Sequence, residues 1–129
     1  MTMLKISNLK VCYGQVEAVH GIDMQVKKGS ITAIIGSNGA GKTTILNAIS
    51  GMVEYTGTIE FDGKPLSNKS NRIVKAGIVQ VPEGRKVFAG LSVEENLHAG
   101  AYCIHSKKEV TRLLEEQYRL FPRLRERKH

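Results

Sequence analysis

Gly36-Ser37-Asn38-Gly39-Ala40-Gly41-Lys42-Thr43-Thr44 is the stretch that decides the reading of this chain. It satisfies G-x-x-x-x-G-K-[ST], in which each fixed position has a physical task. Gly39 and Gly41 can take positive φ without a steric penalty, so consecutive backbone N–H groups can curl around a phosphate. Lys42 can set an ammonium between terminal phosphates, and Thr43 can offer its hydroxyl to Mg²⁺. A helix beginning at Lys42 would point its positive end at the same anion. A chance match in 129 residues has odds on the order of a few per thousand. The stretch reads as a nucleotide phosphate site.

The surrounding pattern supports it. Ser30 to Ile35 (Ser-Ile-Thr-Ala-Ile-Ile) reads as a short buried strand before the loop, and Ile45, Leu46, Ala48 and Ile49 give an apolar stripe at helical spacing after it. Further upstream, Leu4 and Ile6, then Leu9 and Val11, alternate with polar neighbours. Their phase slips at Ser7-Asn8, which predicts a strand carrying a bulge. Tyr13-Gly14-Gln15 makes a turn, and Ile22, Met24 and Val26 mark a second, antiparallel strand ending at Lys28-Gly29.

Downstream, Gly51 reads as a helix stop, Gly57 to Phe61 as an alternating strand, and Asp62-Gly63 as a turn. Asn71 to Ala76 fits a short helix and Gly77 to Val81 a buried strand closed by Pro82. Ser92-Val93-Glu94-Glu95 and Ser106-Lys107-Lys108-Glu109 are capping boxes. Val110, Leu113, Leu114, Tyr118 and Phe121 then share one helix face, Glu115 stands four residues before Arg119, and Pro122 ends or kinks the helix. Residues 1–129 read as one domain with no internal boundary.

Apolar and charged fractions of 41% and 24% are those of an ordinary globular protein, and aromatics at 5% without Trp require an aliphatic core. The formal charge of +7 fits either an anionic partner or a solvated face. Much of the excess follows His105, and no aromatic residue interleaves with Arg123, Arg125, Arg127 and Lys128 as a single-strand-binding groove requires. A solvated face is the preferred reading, with no specific nucleic acid expected. Cys12 and Cys103 are too far apart for a zinc or disulfide framework and suggest free thiols. With no signal-peptide pattern and no membrane-length apolar run, a cytoplasmic location is expected.

The form G-x-N-G-A-G-K-T-T, with Tyr13 upstream and Val81-Pro82-Glu83-Gly84-Arg85 downstream, resembles the ATP-binding subunits of ABC transporters. The run from Val81 to Leu97, with Leu120-Phe121-Pro122-Arg123-Leu124, is similar to the branched-chain amino-acid importer ATPases, the LivF-type subunit in particular. The resemblance implies an α/β P-loop NTPase fold of the ABC ATPase type, with an N-terminal antiparallel β segment, a parallel core sheet and the start of a helical subdomain. It implies ATP and Mg²⁺ as cofactors, with Gly36, Ser37, Asn38, Gly39, Ala40, Gly41, Lys42, Thr43 and Thr44 around the phosphates. Tyr13 matches the aromatic that stacks on adenine. Its other reading is a half-buried strand-end residue. Glu83 stands where most ABC ATPases carry a glutamine that reaches Mg²⁺ and the attacking water. A carboxylate there can bind Mg²⁺, directly or through water, yet a Glu following Pro at a strand end also fits plain solvent exposure. Residues 83–97 match the region facing membrane-spanning permease subunits, and a second ATPase subunit is the other implied partner. The implied location is the inner face of the cell membrane.

The family's later segments (a Leu-Ser-Gly-Gly-Gln-like signature, a strand ending in Asp-Glu and a switch histidine) have no match here. The expectation is therefore the N-terminal part of such a domain, with an incomplete core sheet, able to bind nucleotide without hydrolysing it. Urea and amide importers share much of the pattern. Two rivals stand beside this reading. One is a small kinase or GTPase, disfavoured because Asn68-Lys69-Ser70-Asn71 lacks the base-selective carboxylate of N-K-x-D. The other is a non-catalytic fragment that binds a membrane subunit or nucleic acid.

Overall fold

The computed structural model describes residues 1–129, which fall into two compact units, Met1–Val81 and Pro82–His129. In the first unit, β1 (Thr2–Tyr13), β2 (Val16–Lys27), β3 (Thr56–Phe61) and β4 (Lys64–Pro65) form one sheet in the order β2-β1-β3-β4, paired antiparallel throughout. The two helices of this unit are α1 (Lys42–Ile49) and α2 (Ser70–Ala76).

The phase slip read at Ser7-Asn8 is a bulge. The β1–β2 register shifts between Ile6 and Leu9, and Asn8 takes φ 49°. That one extra position keeps Ile6, Leu9 and Val11 all on the buried face. The bulge is held from both sides. Asp23 of β2 accepts the Asn8 N–H at 2.8 Å. On β3, Gly57 takes φ 95° with its α-carbon so close to the Asn8 carbonyl that a Cβ there would overlap the oxygen. The Asp62-Gly63 turn joins β3 to β4, with both residues at positive φ.

The sheet's inner face supplies Ile6, Leu9, Val11, Val19 and Ile59, and α1 covers it with Ile45, Ala48 and Ile49. The apolar spacing read from the sequence is therefore the packing stripe of α1. Leu46 alone of that stripe turns to solvent.

Two of the expected strands are not strands. Ser30 to Ile35 and Gly77 to Val81 have no hydrogen-bonded neighbour strand among residues 1–129. Their inner side chains, Ile34 and Ile78, pack against the core. Their other faces are bare, with Ile31 and Ile35 102% and 93% exposed and Val79 and Val81 73% and 89%. Apolar runs of this kind suit strands covered on both faces, but a strand exists only where a neighbour pairs its backbone. The parallel pairing expected for the core sheet is accordingly absent from these residues. Gln80 instead anchors its segment to α1 by donating to the Asn47 side chain at 3.1 Å.

The second unit is helical: α3 (Val93–Gly100), α4 (Lys107–Leu120) and α5 (Pro122–Glu126). Ser92 and Glu95 close a full capping box on α3. Ser92 Oγ accepts the Glu95 N–H, and Glu95 accepts the Ser92 N–H at 2.7 Å. Those hydrogen bonds hold the Glu95 carboxyl below its ordinary range. The second expected box is only half made. Ser106 caps the Glu109 N–H, but the Glu109 carboxylate is taken by Arg112 at 2.7 Å. Likewise Glu115 pairs with Arg125 of α5 rather than with Arg119. Pro122 ends α4 and opens α5 as expected.

The bulge generates a test. Gly57→Ala must displace the Asn8 carbonyl and strain its own backbone, so it should destabilise the first unit by roughly 1–3 kcal/mol. Gly63→Ala at φ 73°, with open space around it, should cost less. Chemical denaturation of the two variants checks the order.

Candidate functional site

The loop from Gly36 to Thr44 is built as its glycines dictate. Gly39 and Gly41 lie at φ 85° and 90°, and the Ala40 N–H turns back to the Ser37 carbonyl at 3.1 Å. Gly41 is the N-cap of α1 and sits hard against β2, where a Cβ would stand 2.7 Å from the Ala18 carbonyl oxygen and 3.3 Å from Val19. The loop's end is thus seated on the same hairpin that carries Tyr13, whose pairing partner is Val16.

The N-terminus of α1 is unsatisfied. No side chain caps it and its first turn holds no acid. The first helical bond runs from the Ile45 N–H to the Gly41 carbonyl at 3.0 Å, so the amides of Lys42, Thr43 and Thr44 have no intrahelical acceptor. An anion is the complementary occupant for such an end. Lys42 turns back over the loop, its Nζ donating to the carbonyls of Gly36 at 2.6 Å and Ser37 at 2.7 Å. An ammonium carries three donors, so one remains free. The side chain of Thr43 is exposed in the first turn, with no hydrogen bond from its hydroxyl.

These residues fit a nucleotide's phosphates: outward amides, one cation inside the loop and a free hydroxyl for a hard metal ion. The fit rests on Ser37 to Thr44 together with Gly36, which the fold gathers around one helix end. Tyr13 is 49% exposed at the end of β1, open for contact. Glu83 is exposed at the start of the second unit.

Two contributions had no sequence signal. The seat that Ala18 and Val19 give Gly41 depends on tertiary approach, which no local motif encodes. Asn96 is the other: its side chain makes four hydrogen bonds to the backbone of residues 88–92. In the sequence it is merely an Asn inside a helix.

Of the basic residues after His105, Arg112, Arg123 and Arg125 are engaged in surface pairs. Arg112 binds Glu109 and Glu116, Arg123 binds Glu126, and Arg125 binds Glu115 while lying 5.3 Å over the Tyr118 ring. No helix of the structure is long and apolar enough to cross a membrane.

Comparison with known proteins agrees with the loop's geometry. The family model for ABC transporters matches residues 19–127. The chain belongs to the ABC transporter ATP-binding family. It is 39% identical over 127 residues to the high-affinity branched-chain amino acid transport ATP-binding protein BraG of Pseudomonas aeruginosa, covering 97% of this chain and 54% of that protein. It is 35% identical over 125 residues to the probable branched-chain amino acid transport ATP-binding protein LivF of Archaeoglobus fulgidus, covering 95% of this chain and 52% of that one. A solved ATP-binding subunit of an ABC transporter superposes with a TM-score of 0.85 at 29% identity, over 98% of this chain and 53% of the other. The chain therefore spans about half the length of the relatives it matches.

Proposed function

We propose that residues Gly36–Thr44 bind the phosphates of ATP with Mg²⁺, as part of the ATP-binding subunit of an importer for branched-chain amino acids. The observation that carries the reading is the uncapped start of α1 facing a loop that holds the Lys42 ammonium. Bound ATP would supply a γ-phosphoryl group for transfer to water. The chain's own residues act on binding and orientation. Amides of the α1 first turn would receive phosphate oxygens, Lys42 would exchange a loop carbonyl for one of them, and the Thr43 hydroxyl would hold the metal. Tyr13 offers a flat apolar surface for the adenine, a contact worth about 1 kcal/mol beyond its burial. Glu83 is the proposed second oxygen ligand of the metal, directly or through water.

The loop itself provides one cation, Lys42, and neutral donors but no carboxylate, so it would position phosphates without activating water. Residues 1–129 alone are accordingly proposed to bind nucleotide and leave it intact. In the cell the subunit would sit at the cytoplasmic face of the membrane. There it would pair with a second ATPase subunit and meet permease subunits through residues 83–97. The two transport relatives named above support the solute. Uptake of labelled leucine into the native cells should fall when the gene is disrupted, whereas a fall in urea uptake alone would overturn the solute assignment.

Calorimetry tests the binding site. Mg-ATP should bind the wild-type chain and bind Lys42→Ala about tenfold to a hundredfold more weakly, the loss expected for one hydrogen bond to a charged group, ~1.5–3 kcal/mol. Phosphate release by either protein should stay at background. Equal affinities would sink the role of Lys42, and turnover abolished by the substitution would show a base within these residues.

A further inference from the structure

A cavity of about 570 Å³ lies at the C-terminal end of α1, lined by Gly51, Met52, Val53, Glu54, Tyr55 and Asn68. The helix closes there in a tight stop. The Gly51 N–H returns to the Ala48 carbonyl at 3.2 Å and the Met52 N–H to the Asn47 carbonyl at 2.8 Å, with Gly51 at φ 69°. Space as well as φ requires the glycine. A Cβ there would stand 2.9 Å from the Asn68 carbonyl oxygen and 2.8 Å from the Ile73 side chain. The Ser70 hydroxyl donates to the Gly51 carbonyl at 3.3 Å. The helix stop and the Asn68 wall are thus held together by the chain itself.

The lining carries charge of one sign only. Glu54 is exposed and its carboxylate enters no ion pair, while no lysine, arginine or histidine lines the cavity, although the chain as a whole is +7. The last turn of α1 holds no basic residue either, so the partial negative charge of that helix end is uncompensated. Tyr55 is half-buried and packs against the core. Burial pushes its hydroxyl pKa up, so the residue stays neutral and offers an aromatic ring. The complementary occupant is a cation. One carboxylate is too few ligands for a bare metal ion, and no three His, Cys, Asp or Glu side chains gather anywhere in the chain. A guanidinium fits better: it can pair with a carboxylate, lie against an aromatic ring and donate to an Asn68 oxygen, while an alkyl stem covers Met52 and Val53.

We infer that this cavity binds the guanidinium head and alkyl stem of an arginine-like cation, with Glu54 as its charge partner, Tyr55 as its aromatic face and Met52 and Val53 under the stem. The site lies at the opposite end of α1 from Gly36–Thr44 and does not depend on nucleotide binding there. Its ion pair is open to solvent, and exposed pairs are weak. A single head and stem should therefore bind with a dissociation constant on the order of a millimolar. The same chemistry is carried by a free small molecule and by an arginine side chain of a polypeptide.

The test is an NMR titration of the isotopically labelled whole chain with three probes. The first is n-butylguanidinium. The second is n-butylurea, which keeps the planar head and the stem but not the charge. The third is a blocked tripeptide with arginine between two glycines. Butylguanidinium should shift the backbone amides of Gly51, Met52, Val53, Glu54 and Tyr55 saturably, and butylurea should leave them in place. Glu54→Gln should weaken binding about three- to fivefold, the effect of an exposed ion pair, and Tyr55→Leu about two- to fivefold. Saturation by the tripeptide assigns the site to an arginine side chain, and saturation by butylguanidinium alone assigns it to a free cation. Saturation by neither would overturn the site. Equal shifts with butylurea, or unchanged affinity in Glu54→Gln, would overturn the role of charge. The butylurea comparison uses the wild-type chain, so it decides even if Tyr55→Leu does not fold.

Discussion

Everything at the phosphate loop depends on the burial of Ile45, Ala48 and Ile49 against the sheet. A helix of eight residues has little stability of its own in water, because the nucleation penalty outweighs so few backbone bonds. Burying two isoleucines returns roughly 3–6 kcal/mol, enough to hold α1 where propensity alone would not. The sheet can present the matching face only because the Asn8 bulge restores the inward phase of Leu9 and Val11. Without that slip, the second half of β1 would turn its polar side chains toward α1.

The fixed helix then sets the electrostatics. Its amides are left without partners at the end where Gly41 meets Ala18, and Lys42 lies folded over the same loop. The ammonium holds the loop together by donating to the inward carbonyls of Gly36 and Ser37. In the proposed binding, a phosphate would meet α1 amides that have no intrahelical acceptor, and Lys42 would give up a loop carbonyl to reach it. The second unit uses the same device in neutral form. There the Asn96 amide, rather than an ammonium, satisfies backbone carbonyls and holds a loop in place.

Legibility in the sequence followed the range of the interactions. Local rules carried the bulge at Ser7-Asn8, the Asp62-Gly63 turn, the Ser92 cap and the stop at Pro122, since each is decided within a few residues. The turn of the Gly36–Gly41 loop and the start of α1 at Lys42 were legible for the same reason, since these residues are contiguous. The strands read at 30–35 and 77–81 failed because apolar alternation reports which faces want cover, and pairing depends on neighbours that residues 1–129 do not supply. Glu109 and Glu115 were misassigned because Arg112 and Arg125 compete for them, one along the helix and one from α5. Asn96 was invisible, since its four acceptors and donors converge only after the 88–92 turn has formed.

The most direct measurement is a titration of the isotopically labelled chain with Mg-ATP, Mg-ADP and adenosine, followed through the backbone amides by NMR. If the α1 terminus is the phosphate seat, both nucleotides shift the amides of Gly39, Gly41, Lys42, Thr43 and Thr44 far more than any others, and adenosine leaves them in place. Nucleotide-induced shifts that spare those five amides, or that adenosine reproduces, would contradict the account.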